Sequence, residues 1–536
     1  MIHFTPSVWR LMPGRLLPLF LLAFCSLLPC LFMLGHTGNS VVLKIYVTSI
    51  TMLLLCALLW RHRLTQPLSL LLCALLAANF GLSLFSYSLY QAPFNDGFAV
   101  SILETHPSES LEMLTIYWPY LAATVVFGII LILLIRTLSS HLPSRALQAG
   151  SLLLAVFMSV TYTKAAYHDP SQNRRWVPSA YLMEKSALFN ASYFITALND
   201  RQLIEKINQR KVRHHITQRS TGISVYVVVI GESARRQSMN LYGYPLPDTP
   251  AANAQRKNML LFNDAIAAAP ITMLAVPMSL SAASPVRFDV NDYADNIINL
   301  ANQAGYRTYW LSAQETNGNN ANAITAVAMS SNEKAWIAGA YDADLLPHLD
   351  KALQQPGRKV IFLHLMGSHN SACKRFPSGA AVLHEQGSYD SCYVNSIRYT
   401  DSLLGQVFAR LKGQRASVLY YSDHGQERTP DNGGTYYHGG EYPSQEAYRV
   451  PQFIWYSDAV PRNRTRTGQV NAPYSTADNY YLMMNWLGIR TGVRDCASPL
   501  SDCYAPPSSI TVLNAARRKL DYHRLPDNVR LARAAR

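Results

Sequence analysis

Long apolar runs dominate the first 165 residues and are absent from the rest of the chain. Residues 16–36, 41–60, 67–90, 117–135 and 146–162 carry almost no charge. At about 1.5 Å rise per residue, a run of roughly twenty apolar residues crosses the hydrocarbon core of a bilayer. Five transmembrane helices are therefore predicted, the last of them short. A cleaved secretory signal explains the first run less well, because four more runs follow it and no small-residue cleavage site is evident. Past residue 222 the pattern changes. Residues 223–230 form a continuous β-branched run, as in a strand buried on both faces. Similar short runs recur at 306–311, 360–363, 418–421 and 453–456, with helix-like stretches such as 293–304 and 396–411 between them. This alternation predicts an α/β sandwich around a mostly parallel sheet.

The resulting plan is a transmembrane domain (1–165), connecting amphipathic helices (166–221), a catalytic-type domain (222–510) and a basic tail (511–536). In the connector, residues 181–215 are rich in helix formers. Arg201, Lys206, Arg210, Lys211 and Arg213 give that stretch a basic side, suited either to water or to anionic lipid headgroups. The tail carries seven Lys or Arg against Asp521 and Asp527, so it is either a solvated tail or a contact for anionic lipid or lipopolysaccharide phosphates.

Composition agrees with a membrane protein. Of 536 residues only 15% are charged, against roughly 25% in soluble domains. The 11% aromatic content excludes disorder. Basic residues set the orientation. Arg10 and Arg15 precede the first run, Arg61 and Arg63 follow the second, and Arg136 and Arg145 lie between the last two, whereas residues 64–135 hold no Lys or Arg. The amino terminus is thus expected in the cytoplasm and everything after residue 165 outside, in the periplasm of a two-membrane bacterium. Of eight cysteines, Cys25, Cys30, Cys56 and Cys73 fall in the apolar runs. The other four allow three pairings. The local ones, Cys373–Cys392 and Cys496–Cys503, close the shortest loops and are expected in an oxidising compartment.

In sheets of this kind ligands bind beyond the carboxyl ends of the strands. The first strand ends in Gly231-Glu232-Ser233, another in Ser422-Asp423-His424-Gly425, and a third runs through His364 to Gly367-Ser368-His369. A carboxylate, an Asp-His pair and a further His converging on one edge suit a catalytic zinc with an open position. Thr272 follows Pro270-Ile271 and opens an apolar helical stretch. It is either a helix N-cap or a nucleophile activated by the metal.

These stretches resemble the alkaline phosphatase/sulfatase superfamily. The whole chain resembles bacterial phosphoethanolamine transferases of the lipid A type, the group that includes mobile colistin-resistance enzymes. The resemblance rests on GESARRQSMNLYGYPLPDTP (231–250), Thr272 with Val276-Pro277, LHLMGSH (363–369), YVNSIRYTD (393–401), YSDHG (421–425), YHGG (437–440) and STADNYYLMMNWLGI (475–489). It implies that Glu232, Thr272, Asp423 and His424 hold one Zn2+ and that Thr272 becomes modified with phosphoethanolamine. His369 and His438 would move protons or hold a second zinc. Ser101, Thr105 and Glu109 match an Asn-x3-Thr-x3-Glu site for the donor headgroup, with Ser101 in place of Asn. The reaction implied takes phosphoethanolamine from phosphatidylethanolamine, releases diacylglycerol, and delivers it to lipid A, Kdo or core lipopolysaccharide, or a periplasmic glucan, as in polymyxin resistance. A monomer at the inner membrane, in contact with lipids and not with nucleic acid, is expected. Ala268 and Met278 stand where the lipid A enzymes have cysteines. Gln426 replaces a Glu, and the family's substrate-side Lys has no counterpart. These departures fall where an acceptor is recognised. The alternatives are a phosphoglycerol transferase, a phosphatase or sulfatase-like hydrolase on the same fold, or a non-enzymatic membrane scaffold. A sulfatase of the common kind needs a Cys or Ser nucleophile, which Thr272 does not supply.

Overall fold

The structure is a computed structural model that describes residues 13–35, 37–90, 93–104, 107–167, 177–207, 212–314, 322–385, 388–428, 436–440, 442–492 and 495–527. The chain divides into two units, Met1–Asp200 and Arg201–Arg536.

The first unit is helical. Asn39–Trp60, Gln66–Leu89, Tyr117–His141 and Ser144–Ala166 are long and apolar enough to cross a membrane. The remaining expected span is helical over Pro13–Leu31, with Pro18 and Pro29 inside it. Its apolar part, Leu17–Leu31, is shorter than the other four. A proline removes a backbone donor and clashes with the preceding turn, and this helix stops two residues after Pro29. Four helices rather than five therefore have spanning length among the described residues. The connector is not one continuous helix. It forms Pro178–Glu184 and Ala191–Ile207, separated by a segment whose Ala187 and Phe189 are buried. Asn190 anchors that segment: its backbone N–H donates to Asn79 Oδ1 (2.9 Å), and its side-chain amide donates to Asn79 O and Ser83 Oγ (both 2.9 Å).

The second unit is built, among the described residues, on a nine-stranded sheet. From one edge the strands run Gly468–Val470, Met259–Ile266, Arg449–Tyr456, Ala416–Ser422, Val225–Gly231, Lys359–His364, Arg307–Ser312 and Glu333–Trp336, with Tyr474–Ser475 also pairing with Met259–Ile266. All five expected strands are present. The sheet is mixed, because Arg449–Tyr456 runs antiparallel to both of its neighbours. An unbroken apolar run reports burial on both faces and carries no information about direction, so the sequence pattern could not reveal this. The central strand shows why its run is unbroken. Tyr226, Val228 and Ile230 enter one core cluster, and Val225, Val227 and Val229 enter the other. Successive side chains of a strand point to opposite faces, and both faces are covered.

Both expected disulfides are formed, Cys373–Cys392 and Cys496–Cys503. The basic stretch after residue 511 is folded into the unit as far as Asp527. Thr511–Leu513 pairs with Lys519–Asp521, Leu513 N–H donates to Ala268 O (2.9 Å), and Arg449 pairs with Asp527 (2.8 Å). Residues 528–536 lie outside the described residues.

Candidate active site

Register brings the acidic groups together. Val225–Gly231 lies parallel to Ala416–Ser422 with Gly231 opposite Ser422, so the next residues, Glu232 and Asp423, leave the sheet side by side. On the other flank Ile230 is opposite His364, and the chain turns there into the Gly367–His369 loop. The loop packs directly on Glu232. A Cβ at Gly367 would lie 2.8 Å from the Glu232 backbone, and its φ of +49° also favours glycine. Asp342 holds this loop by accepting from Met366 N–H (2.7 Å) and Gly367 N–H (2.9 Å). Burial raises the Asp342 pKa to about 6.

Glu232, Asp423 and His424 are buried, and one ligand atom from each lies within 4.8 Å of the others. His424 Nε2 is 3.4 Å from both Glu232 Oε1 and Asp423 Oδ2. Its Nδ1 meets Gly425 O at 2.8 Å. With the proton assigned to Nδ1, the Nε2 lone pair faces the carboxylates. Asp423 Oδ1 accepts from Ser233 N–H (3.1 Å) and His424 N–H (2.7 Å), while the buried Oδ2 has no hydrogen-bond partner. Burial, and then repulsion from Asp423, raises the Glu232 pKa to about 7. Burial likewise raises Asp423 to about 6 and lowers His424. Two buried acids, an orphaned carboxylate oxygen and a free imidazole lone pair fit a divalent cation of the zinc type, which takes carboxylate oxygen and His nitrogen.

Thr272 begins the Thr272–Leu280 helix, whose N-cap is Ile271. The Thr272 hydroxyl therefore does not cap the helix. It donates to Glu232 Oε2 (3.0 Å) and meets His424 Nε2 at 3.2 Å. The two histidines stand beside this group. His438 lies with its ring centroid 4.3 Å from that of His424 and 6.4 Å from that of His369. His438 Nδ1 meets Pro270 O at 3.2 Å, and burial lowers the pKa of this imidazole strongly. His364 does not join them: its Nδ1 meets Ser312 Oγ at 3.1 Å and its ring packs on Trp310. Of the three residues matched to the donor headgroup, Ser101 is exposed on the Asp96–Glu104 helix. Glu109 falls in the Pro107–His141 helix, with its side chain outside the description, and Thr105 lies outside the described residues.

Gln314 also joins the site. It sits beyond the end of Arg307–Ser312 and donates through Nε2 to Glu232 Oε2 (3.1 Å) and Leu365 O (2.8 Å). Its signal was its place after a strand end, the same signal that marked Glu232. Asp342 was missed altogether, and Tyr393 was quoted only as the first residue of the YVNSIRYTD stretch, with no role given to it. Both come from outside the strand ends.

A family model described as Sulfatase matches residues 224–489, and one described as the transferase YhbX N-terminal domain matches residues 9–208. The chain is 43% identical over 434 residues to a protein of Escherichia coli strain K12 named only as a transferase, YhbX, covering 79% of this chain and 80% of that one. It is 30% identical over 464 residues to the phosphoethanolamine transferase OpgE of the same strain, covering 82% and 84%. Among solved structures, the integral membrane lipooligosaccharide phosphoethanolamine transferase EptA of Neisseria meningitidis has the same fold, with a TM-score of 0.60 at 18% identity over 91% of this chain and 97% of that one. The periplasmic domain of E. coli EptC, described as a complex with Zn, gives a TM-score of 0.53 at 23% identity over 58% of this chain and 96% of that one. The chain belongs to the phosphoethanolamine transferase family, with a Sulfatase-type domain following apolar amino-terminal helices.

Proposed function

We propose that this protein transfers phosphoethanolamine from phosphatidylethanolamine to a sugar of the cell envelope, with Thr272 as the nucleophile. The observation that carries the reading is the Thr272 hydroxyl, which stands 3.0 Å from Glu232 and 3.2 Å from His424 beside an unpaired Asp423 oxygen. Glu232, Thr272, Asp423 and His424 would hold Zn2+, and a relative's zinc complex supports that choice of metal. Zinc bound there would lower the pKa of the Thr272 hydroxyl and so favour its ionisation at neutral pH.

Glu232 Oε2, the acceptor of the Thr272 hydroxyl, orients Oγ1. In the first step Oγ1 forms a bond to phosphorus and the bond to the diacylglycerol oxygen breaks; that oxygen takes a proton from His369 or His438. In the second step an acceptor hydroxyl or phosphate, deprotonated by the same histidine if it is a hydroxyl, takes phosphoethanolamine from Thr272 and regenerates the side chain. Ser101, Thr105 and Glu109 would receive the donor headgroup, the Glu109 carboxylate pairing with the ammonium. A lipid donor explains the apolar helices, and the two disulfides support a periplasmic domain on an inner-membrane anchor. The acceptor is lipid A, Kdo, core lipopolysaccharide or a periplasmic glucan. The added amine would lower surface negative charge and weaken binding of cationic peptides.

The test uses phosphatidylethanolamine labelled in the headgroup. Wild type should leave label on a peptide containing Thr272 and release diacylglycerol. Thr272→Ala should do neither and remain folded, and Thr272→Ser should retain part of the activity. Transfer by Thr272→Ala at near the wild-type rate would overturn the assignment.

A further inference from the structure

The residue after Glu232 is held in an unusual conformation. Ser233 has φ +59°, a left-handed geometry that residues with a Cβ seldom adopt. Its surroundings impose it. Ser233 N–H donates to Asp423 Oδ1 (3.1 Å), its hydroxyl donates to Glu232 Oε1 (2.7 Å), and Ala234 N–H donates to Ser422 Oγ (2.8 Å). Two further polar groups of the turn meet one side chain. Tyr393 OH donates to Ser233 O (2.6 Å) and accepts from Arg235 N–H (2.9 Å).

Tyr393 comes from the Ser388–Leu411 helix and is fully buried. Its ring is stacked on Tyr436 at 4.3 Å between centroids and 16° between planes. Tyr436 OH in turn donates to Asp390 Oδ1 (2.6 Å), and the backbone strand of Tyr436 leads to His438 two residues on. One phenol thus bridges the turn that follows Glu232 and packs against the strand that immediately precedes His438.

We propose that Tyr393 is a positioning residue, whose hydroxyl locks the Glu232–Arg235 turn in its left-handed form and so aims the Glu232 carboxylate at Thr272 and at the cation. The inference rests on the metal-site reading above. Tyr393 touches neither Thr272 nor His424; it acts through the Ser233 carbonyl and the Arg235 amide.

The experiment compares Tyr393→Phe, which keeps the ring and removes only the hydroxyl, with wild type in the full-length protein in detergent. Zinc affinity is measured by competition with a chelator, alongside kcat, KM for phosphatidylethanolamine and the thermal midpoint. Zinc affinity and kcat should each fall about tenfold or more, the size of effect that outer partners of metal ligands have. KM should stay within about twofold, because a positioning defect acts on the reacting groups rather than on uniform donor binding. Ser233→Gly supplies the second arm. Glycine takes the left-handed form unaided, so in that background Tyr393→Phe should cost less than about threefold, a coupling that independent sites do not show. Equal costs in both backgrounds, or unchanged zinc affinity with only a lower thermal midpoint, would overturn the proposal. If Tyr393→Phe alone does not fold, the double variant decides: folding with the zinc affinity of Ser233→Gly supports the proposal, and failure to fold overturns it. Failure of wild type itself to bind zinc would instead sink the metal-site reading.

Discussion

Two regions of the molecule bury polar side chains among apolar ones, and they solve the problem differently. In the amino-terminal unit Asn79, Ser83 and Asn190 pair as neutral donors and acceptors, leaving the Asn79 amide nitrogen and the Asn190 amide oxygen over. At the sheet edge Glu232 and Asp423 are both acidic, both buried and close together. Amides can pair among themselves because each carries a donor and an acceptor. Two carboxylates repel when ionised, and an Asp oxygen is left with no donor. The first arrangement is neutral, so the atoms it leaves over carry no charge, and it holds the connector to the helices. The second would be completed by the cation proposed above, and buried acids with raised pKa values in close contact are the physical mark of a candidate functional site.

Removing one of the like charges should break this comparison most sharply. In Asp423→Asn, Oδ1 can keep both backbone donors, and the new amide nitrogen stands where Oδ2 meets His424 Nε2 at 3.4 Å. Zinc binding and transfer should fall by at least about a thousandfold, as expected for loss of an activating ligand. The zinc-free protein should nevertheless melt higher than zinc-free wild type at about pH 8, because the repulsion is gone. A metal-free variant that melts lower would show that the acids do not strain the site.

The burial of these two acids sets a pH dependence. In the metal-free protein Glu232 is raised to about 7 and Asp423 to about 6, mainly by burial. Folded pKa values above the unfolded ones mean that the contribution of these groups to stability is full below their unfolded values and is lost as pH rises through about 6 to 7. Zinc competes with the same protons, so its affinity should rise over that window. The zinc-induced increase in thermal midpoint should therefore grow from about pH 5.5 to about pH 8. An increase that is constant with pH would mean that both carboxylates are already ionised when zinc arrives.

The amide network should behave oppositely. Asn190→Leu removes the donors to Asn79 O and Ser83 Oγ and should cost about 0.6–1.7 kcal/mol, the range measured for polar contacts between membrane helices. Unfolding in detergent would show this, and zinc affinity should not change. A change in zinc affinity would end the distinction drawn between the two regions.

The smallest effect concerns the disulfides. Cys373–Cys392 closes 19 residues and Cys496–Cys503 closes 7. If chain entropy governs, replacing the first pair by Ser should cost about 0.9 kcal/mol more than replacing the second. Equal costs by chemical denaturation would point to contacts around the bridges instead.

The apolar runs at 41–60, 67–90, 117–135 and 146–162 were legible because spanning length and hydropathy are properties of consecutive residues. The five central strands were legible for the same reason, since burial on both faces writes itself as a short apolar run rich in β-branched or aromatic residues. Strands at or near the sheet edge, such as Glu333–Trp336 and Gly468–Val470, escaped, as did Met259–Ile266. The edge strands are short and partly exposed, and in Met259–Ile266 the half-buried Asn263 and Asp264 interrupt the apolar run.

By itself the sequence determined that one part of this chain is apolar helix and another α/β, which residues end the strands, and which cysteines are near enough to pair. Those are local facts: hydropathy, turn chemistry and loop length act over a few residues. Only the tertiary structure decided that Gly231 stands opposite Ser422, so that Glu232 meets Asp423 and His424 and turns toward the Thr272 hydroxyl. It also decided that Tyr393, 160 residues away, closes the Ser233 turn. Strand register and helix packing are settled by the summed burial of many distant side chains, so the groups they bring within hydrogen-bond reach cannot be read from any stretch of neighbours.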